Sequence, residues 1–392
     1  MLNTSVAPWP SYSEEEQQAV ARVLSSGRVN YWTGEETRAF ERDYAEWAGS
    51  KRAVALFNGT VALDLALRAL EIGPGDEVIV TPRTFIASIS CVTNLGATPV
   101  FADVDRDSGN ITAETVERAL SARTRAILPV HLGGWPCDMP ALRSLADERN
   151  LLIIEDCAQA HGATIDGRNV GTFGEIGCWS FCQDKIITTG GEGGMVTTDD
   201  DDLWSRMWSF KDHGKSWQAV YEREHPPGYR WLHESFGSNY RMIEIQAVLG
   251  RNQLARLDEM TARRTAIVDR YRSVLDRFEG AIRAPAPRPG MQHAYYRFYA
   301  YVRPEGLKNG WNRDRIVTEL GARGIPAFQG SCSEVYLEKA FDCTGLRPAE
   351  RLPVARELGE SSLALLTHPT LSDDDVGLTC QALEEIFAEA GA

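Results

Sequence analysis

The spacing of apolar positions divides the chain into short segments of changing period. Residues 11–26 place Val20, Val23 and Leu24 on one helical stripe. Ser13 stands where a cap belongs, and Glu14, Glu15 and Glu16 fill the first turn, where acids suit the helix dipole. Residues 37–48 repeat that period. From residue 52 onward, near-continuous apolar runs alternate with amphipathic ones. Strands are expected at 52–57, 76–81, 98–102, 126–130 and 151–154, and helices from about 60 to 70, from beyond Phe85 through 94, at 112–121 and at 138–148. Strands with no polar face, joined by helices, predict a parallel sheet covered on both sides, an α/β fold.

A further strand at 195–198 runs into four aspartates at 199–202, read as a solvated turn and helix start. Residues 211–240 have no period but carry Pro226, Pro227, Gly228 and several aromatic rings. A loop of that length in a compact protein is usually functional or interfacial. Residues 241–279 read as one largely helical run bridging to a second domain. After the proline-rich break at 285–289 the pattern becomes a strand at 295–302, a helix at 312–323, a short strand at 325–328 and a final helix at 372–389. The expected division is a large α/β domain over 1–250 and a small α+β domain over 251–392. No internal repeat is evident.

In such sheets, ligands sit beyond the carboxyl ends of the strands. Asn58, Phe85, His131 and Asp156 all fall just past a predicted strand end, so one crevice can collect them. Asn58-Gly59-Thr60, between a strand and a helix, suits a phosphate at a helix N-terminus, and equally suits an ordinary capped turn. The densest chemistry lies in 153–195. Asp156 closes an apolar run, Lys185 follows 29 residues later, and Ser180, Gly190, Gly191, Gly193 and Gly194 surround the lysine. Asp156 reads either as a helix cap or as a ligand-facing acid, and Phe85 either as core or as a cover for a flat ligand. Trp32, in the aromatic turn Asn30–Gly34, reads as packing or as a lip over substrate. His131 is balanced between substrate contact and a satisfied strand-end histidine. Arg241 is either a structural partner or a carboxylate binder, and His213 is a weaker candidate for substrate contact.

Composition narrows the class. The chain has 392 residues, 43% hydrophobic and 24% charged, ordinary for a globular protein. Its net charge of −14 argues against non-specific nucleic-acid binding, and an anionic substrate needs a local cationic pocket. Residues 1–10 carry neither a basic nor an apolar leader segment, and no run approaches the roughly 20 apolar residues of a membrane span. The eight cysteines show no zinc spacing, so no metal is expected, and reduced thiols in a cytoplasm fit them.

Lysine amine, acid, phosphate cup and aromatic cover are the four requirements of pyridoxal 5'-phosphate (PLP). Several segments carry a resemblance that covers about residues 9–369. They are Ile154-Glu155-Asp156-Cys157-Ala158-Gln159-Ala160-His161-Gly162, Ser180-Phe181 with Lys185 and Gly191-Glu192-Gly193-Gly194, Pro129-Val130-His131-Leu132, and Asn239-Tyr240-Arg241-Met242 with Glu244-Ile245-Gln246. Together with Asn58-Gly59-Thr60, they resemble the DegT-type sugar aminotransferases, a branch of the fold-type I PLP enzymes. The resemblance implies a large domain with a mostly parallel seven-stranded sheet. It implies that Lys185 carries the cofactor as a Schiff base and moves the proton, that Asp156 pairs with the ring nitrogen and Gln159 lies by the ring hydroxyl, that Gly59, Thr60 and Ser180 hold the phosphate, and that Phe85 covers the ring. It implies a homodimer in which Asn239 reaches the other subunit's cofactor. Cys182 stands where many relatives have histidine, and residues 329–341 lack the histidines often found there.

The expected reaction moves an amino group, from L-glutamate, to a keto group of a nucleotide-linked sugar for amino-sugar or surface-polysaccharide synthesis. Ile186-Ile187-Thr188-Thr189-Gly190 resembles enzymes acting at C4 more than those acting at C3. Two alternatives stand beside it. A sugar dehydratase of the same family replaces the lysine with histidine, and Lys185 speaks against that. A non-catalytic ligand sensor has no need of the intact lysine, acid and phosphate cup.

Overall fold

The computed structural model describes residues 6–392. The expectation about a leader in residues 1–10 falls partly on residues outside that range. Capping sets the start of several helices. In helix α1 (Glu14–Ser26), the Ser13 hydroxyl accepts from Glu16 N–H and the Glu16 carboxylate accepts from Ser13 N–H. The helix turns Glu16, Ala19 and Val23 inward, whereas Leu24, expected on the apolar stripe, is 56% exposed. The reason is its partner: α1 packs on a later helix through Val248, and buried Glu16 takes a hydrogen bond from Gln253 there. Helix α2 (Glu36–Ala48) follows.

The large sheet has seven strands: β1 (Arg52–Leu56), β2 (Glu77–Val80), β3 (Thr98–Phe101), β4 (Thr124–Leu128), β5 (Leu152–Asp156), β6 (Ile176–Ser180) and β7 (Gly194–Thr198). Their order is β1-β7-β6-β5-β4-β2-β3. All neighbours are parallel except β7, which runs antiparallel to both β1 and β6. Strand β6 was not among the predicted elements. Its sequence, IGCWS, has little strand signal, yet every residue is buried, because β6 sits between β5 and β7 in the middle of the sheet. Helices α3 (Gly59–Ala69), α4 (Ala87–Asn94), α5 (Ala113–Ala119), α6 (Met139–Arg149) and α7 (Asp201–Phe210) complete this part, and Asp200 caps α7 as the aspartate run suggested.

The run read as one helix over 241–279 is two: α8 (Glu244–Ala255) and α9 (Leu257–Leu275), broken at Arg256. Residues 241–243 precede the first, since Arg241 pairs as a bridge with Leu56 at the edge of the sheet. Arg241 therefore does not begin a helix. A second sheet, β8-β9-β11-β10, is formed by β8 (Ile282–Arg283), β9 (Phe298–Val302), β10 (Ala327–Phe328) and β11 (Ser362–Leu365), all antiparallel. Against it pack α9, α10 (Arg313–Ala322) and α12 (Asp373–Ala390), around Ile267, Phe298, Leu363 and Phe387. Helix α11 (Pro353–Ser361) and strand β11 had no expected counterpart. No helix of the described residues is long and apolar enough to cross a membrane.

Candidate active site

The carboxyl ends of β2, β5 and β6 and the start of α3 open on a cavity of about 580 Å³, closed on the far side by residues around β9 and β10. Lining it are Gly59, Thr60, Phe85, Asp156, Gln159, Ser180 and Lys185, seven residues expected from the sequence to share a site. Asn58 caps α3 by accepting from Val61 N–H at 3.0 Å. The first N–H groups of a helix have no partner inside it and offer themselves to an anion. Gly59 is required by packing: a Cβ there would lie 2.6 Å from the Ser180 Cβ and 2.9 Å from its Oγ. Any side chain would fill the cup between the helix start and Ser180.

Asp156 ends β5 and is 5% exposed. Burial pushes its carboxyl pKa up, while the Ser88 hydroxyl, the Ala158 N–H and the nearby Lys185 and His131 pull against that rise. The Ser88 Oγ donates to Oδ2 at 2.8 Å and the Ala158 N–H to Oδ1 at 3.1 Å. Thr84 Oγ1 lies 2.9 Å from the Ser88 hydroxyl. With Ser88 donating to the acid, Thr84 donates to Ser88, and a relay of two hydroxyls backs the carboxylate. Each oxygen keeps a lone pair free.

Lys185 lies in the turn after β6. Its Nζ is 3.8 Å from Asp184 Oδ1 and 4.9 Å from the centre of the Tyr296 ring. Its carbonyl accepts from Trp9 Nε1 at 2.9 Å, so the N-terminal segment braces the lysine's backbone. The Tyr296 hydroxyl donates to Asp184. Burial opposes the charge on Asp184, but Lys185, Tyr296 and Arg297 outweigh it and hold its carboxyl below the usual range. Gln159 Oε1 accepts from Gly133 N–H at 2.7 Å. Phe85 stands at the mouth, 68% exposed.

The remaining candidates lie elsewhere. His131 is fully buried, takes Cys137 N–H on Nδ1 at 3.0 Å and meets Glu155 Oε2 through Nε2 at 3.1 Å. Both ring nitrogens are spent on the wall behind Asp156. Glu155, His131 and Cys157 also lie close enough to suggest a metal cluster, but the Glu155 oxygens already accept from the N–H groups of Gly171, Phe173 and Gly174. Trp32, His213, Asn239 and Arg241 gather around Asp212, not around the cavity. The Arg241 Nη1 pairs with Asp212 Oδ1 at 2.8 Å, Asn239 bridges to Asp212 through the backbone, and Lys215 lies 4.1 Å over the Trp32 ring while pairing with Asp212. His213 and Asn239 are exposed. Arg241's salt bridge is the kind of contact its structural reading expects. Thr84, Ser88, Asp184, Tyr296 and Arg297 were missed. Asp184, next to Lys185, had an available signal; Arg297 sits in an alternating apolar segment where nothing marks it.

The DegT/DnrJ/EryC1/StrS aminotransferase family model matches residues 10–384. The chain belongs to that family. It is a PLP-dependent sugar aminotransferase of fold-type I. It is 39% identical to the GDP-perosamine synthase of Caulobacter vibrioides, over 89% of each chain. It is 38% identical to the dTDP-3-amino-3,4,6-trideoxy-alpha-D-glucose transaminase of Streptomyces venezuelae, over 93% of this chain and 90% of the other. The crystal structure of an aminotransferase from Psychrobacter cryohalolentis superimposes with a TM-score of 0.97 at 59% identity, over 98% of this chain and 99% of that one. The family's cofactor fits the residues present: an amine and a buried acid with free lone pairs face one cavity, and the missing Cβ at Gly59 leaves the cup a phosphate needs.

Proposed function

We propose that the enzyme transfers an amino group from L-glutamate to a keto carbon, C4, of a nucleotide-linked hexose in amino-sugar or polysaccharide biosynthesis. The observation that carries this reading is the placement of the Lys185 amine and the Asp156 carboxylate on one cavity with the start of α3. When bound, PLP supplies an electron-accepting ring that stabilises negative charge at the carbon losing its proton. Lys185 anchors the cofactor covalently and afterwards holds and returns that proton. Asp156, kept in place by Ser88 and Ala158, favours a protonated ring nitrogen. Gly59, Thr60 and Ser180 bind phosphate, Gln159 lies by the ring hydroxyl, and Phe85 covers one face. The relatives' names include both a GDP-linked and a dTDP-linked sugar product, one of them a 3-amino sugar, so C4 rests on residues 186–190.

The same reading makes the enzyme a homodimer. Exposed Asn239 and His213, and half-buried Trp32, lie outside their own chain's cavity, which suits a contribution to a neighbour's site. A division near residue 250 into a large and a small domain, and a reducing cytoplasm for the eight free cysteines, belong to the proposal as well. The test is the visible spectrum of the purified protein with PLP, before and after L-glutamate and with no sugar present. Conversion of the lysine-bound band to the pyridoxamine form is expected. A band indifferent to glutamate removes that donor, and no band at all removes Lys185 from its role.

A further inference from the structure

Two cationic side chains line the cavity, Lys185 and Arg297; the other charged groups there are Asp156, Asp184 and Glu192. Lys185 is committed to the cofactor. Among the described residues Arg297 forms no side-chain hydrogen bond and no ion pair. Its close aromatic partner is the Tyr296 ring, 4.8 Å from its Cζ. The same ring lies 4.9 Å from Lys185 Nζ, so the two cationic groups are at most about 10 Å apart.

The backbone that presents Arg297 is fixed at several points. Its N–H donates to Gly133 O at 3.3 Å, next to the Gly133 N–H held by Gln159. The Thr367 hydroxyl lies 2.6 Å from Tyr295 O and 3.3 Å from Tyr296 O, and Arg264 Nη1 donates to Tyr295 O at 3.3 Å. Tyr295 itself has φ 47°, a left-handed conformation that costs a bulky side chain free energy and persists only where the surroundings enforce it. On a backbone this fixed, the half-buried guanidinium feels Asp184 only through space and forms no ion pair, so its planar fork is free for a carboxylate or phosphate.

Connectivity selects between those two anions. In any α-amino acid, the carboxylate is two bonds from the nitrogen that reacts beside Lys185. In a nucleotide sugar, the diphosphate is separated from a reacting C4 by the length of the sugar ring. We infer that Arg297 binds the α-carboxylate of the amino donor, with the Tyr296 ring steering it, in the role for which Arg241 was the candidate from sequence. This rests on the proposed function only in placing the donor's nitrogen at Lys185.

The test uses holoenzyme carrying Arg297→Gln or Arg297→Lys. Glutarate, which has glutamate's carboxylates and no amine, is titrated calorimetrically, and the amino-donor half-reaction is followed by absorbance. Arg297→Gln is expected to weaken glutarate binding and raise the glutamate KM about 10- to 100-fold, as loss of a charge-assisted hydrogen-bond pair does. Arg297→Lys should recover part of that, and binding of GDP, UDP and dTDP should stay within about threefold. Unchanged glutarate and glutamate affinities in Arg297→Gln overturn the inference. So does weakened nucleoside diphosphate binding with intact glutarate binding, which assigns the guanidinium to the sugar nucleotide. Parallel loss of both ligands with a lower melting temperature makes Arg297 structural and also overturns it. The half-reaction is run with whichever L-amino acid converts the wild-type spectrum. A wild type that answers to none sinks the proposed function, whereas a variant that answers like wild type sinks only the role of Arg297.

Discussion

Two clusters in this molecule have nearly the same inventory. One is Asp184, Lys185, Tyr296 and Arg297 at the cavity. The other is Lys211, Asp212, Lys215 and Arg241, with Tyr31, Trp32 and Trp208, at the two ends of the 211–240 segment. In the second, fully buried Asp212 takes Arg241 at 2.8 Å and Lys215 at 3.2 Å. The amine of Lys211 lies 3.8 Å over Tyr31 and 4.8 Å over Trp208, and desolvation pushes its pKa down to about 8 against the pull of Glu41 and Asp212. That cluster's guanidinium is paired, and its residues are not among those lining the cavity. The first opens on about 580 Å³ and, among the described residues, keeps one arginine outside any ion pair. What separates a site from a strut here is not which residues are present but whether the arginine is already paired: Arg241 meets Asp212, whereas Arg297 forms no ion pair among the described residues.

The comparison breaks most decisively at the lysines. Lys185→Ala should slow turnover by about 10⁴-fold or more with the melting temperature nearly kept, measured by steady-state assay and calorimetry. A rate near wild type would return Lys185 to the status of an ordinary lysine. Asp156→Asn should cost about 10²- to 10³-fold and weaken cofactor retention in dialysis, because the ring loses the charge facing its nitrogen. Retention and rate both unchanged would mean the buried acid serves the sheet only. At the Asp212 cluster the sign reverses. Arg241→Gln should leave the glutamate KM within about twofold and lower stability to chemical unfolding by roughly 3 kcal/mol, since it strips a partner from a buried acid. A raised KM with intact stability would exchange the roles of the two clusters.

The effect smallest at neutral pH concerns the aromatic packing behind the open cluster. His161 lies among Trp47, Trp179 and Phe181, with both ring nitrogens buried and unpartnered. Burial, with Lys185 and Arg264 adding to it, lowers its pKa from 6.5 to about 3. Between those values the unfolded chain takes up a proton that the folded chain refuses, so stability falls as pH falls across that window. Each such histidine contributes about 1.4 kcal/mol per pH unit there. His161→Phe should therefore flatten the acid limb of a stability-against-pH curve, and an unaltered slope would place the acid sensitivity elsewhere.

Much of the site could be read without coordinates, because it is built from strand ends. Gly59, Thr60, Phe85, Asp156, Gln159, Ser180 and Lys185 each end or follow a strand or start a helix, and a parallel sheet aligns such positions along one edge. The reading failed where a residue's meaning depends on its partner. Nothing in Tyr-Arg-Met reveals that Arg241 meets Asp212, and nothing in an alternating strand reveals that Arg297 forms no ion pair. Thr84 and Ser88 were missed for the same reason, since a hydroxyl four residues from another becomes a relay only once Asp156 lies beside it. Strand β6 went unpredicted because its glycine and serine carry little propensity, and its burial comes from the strands on either side.

Local physical chemistry in the sequence determined the helix caps, the alternation of strands and helices, the class of fold, and the lysine, acid and glycine set that a PLP enzyme requires. Those follow from periods and turn chemistry that act within a few residues. Tertiary structure alone decided the order of the strands, the reversed β7, the break at Arg256, and which of the arginines was left unpaired beside Lys185. These depend on pairings between residues tens to hundreds of positions apart, where desolvation and partner geometry, which no local pattern encodes, set the outcome.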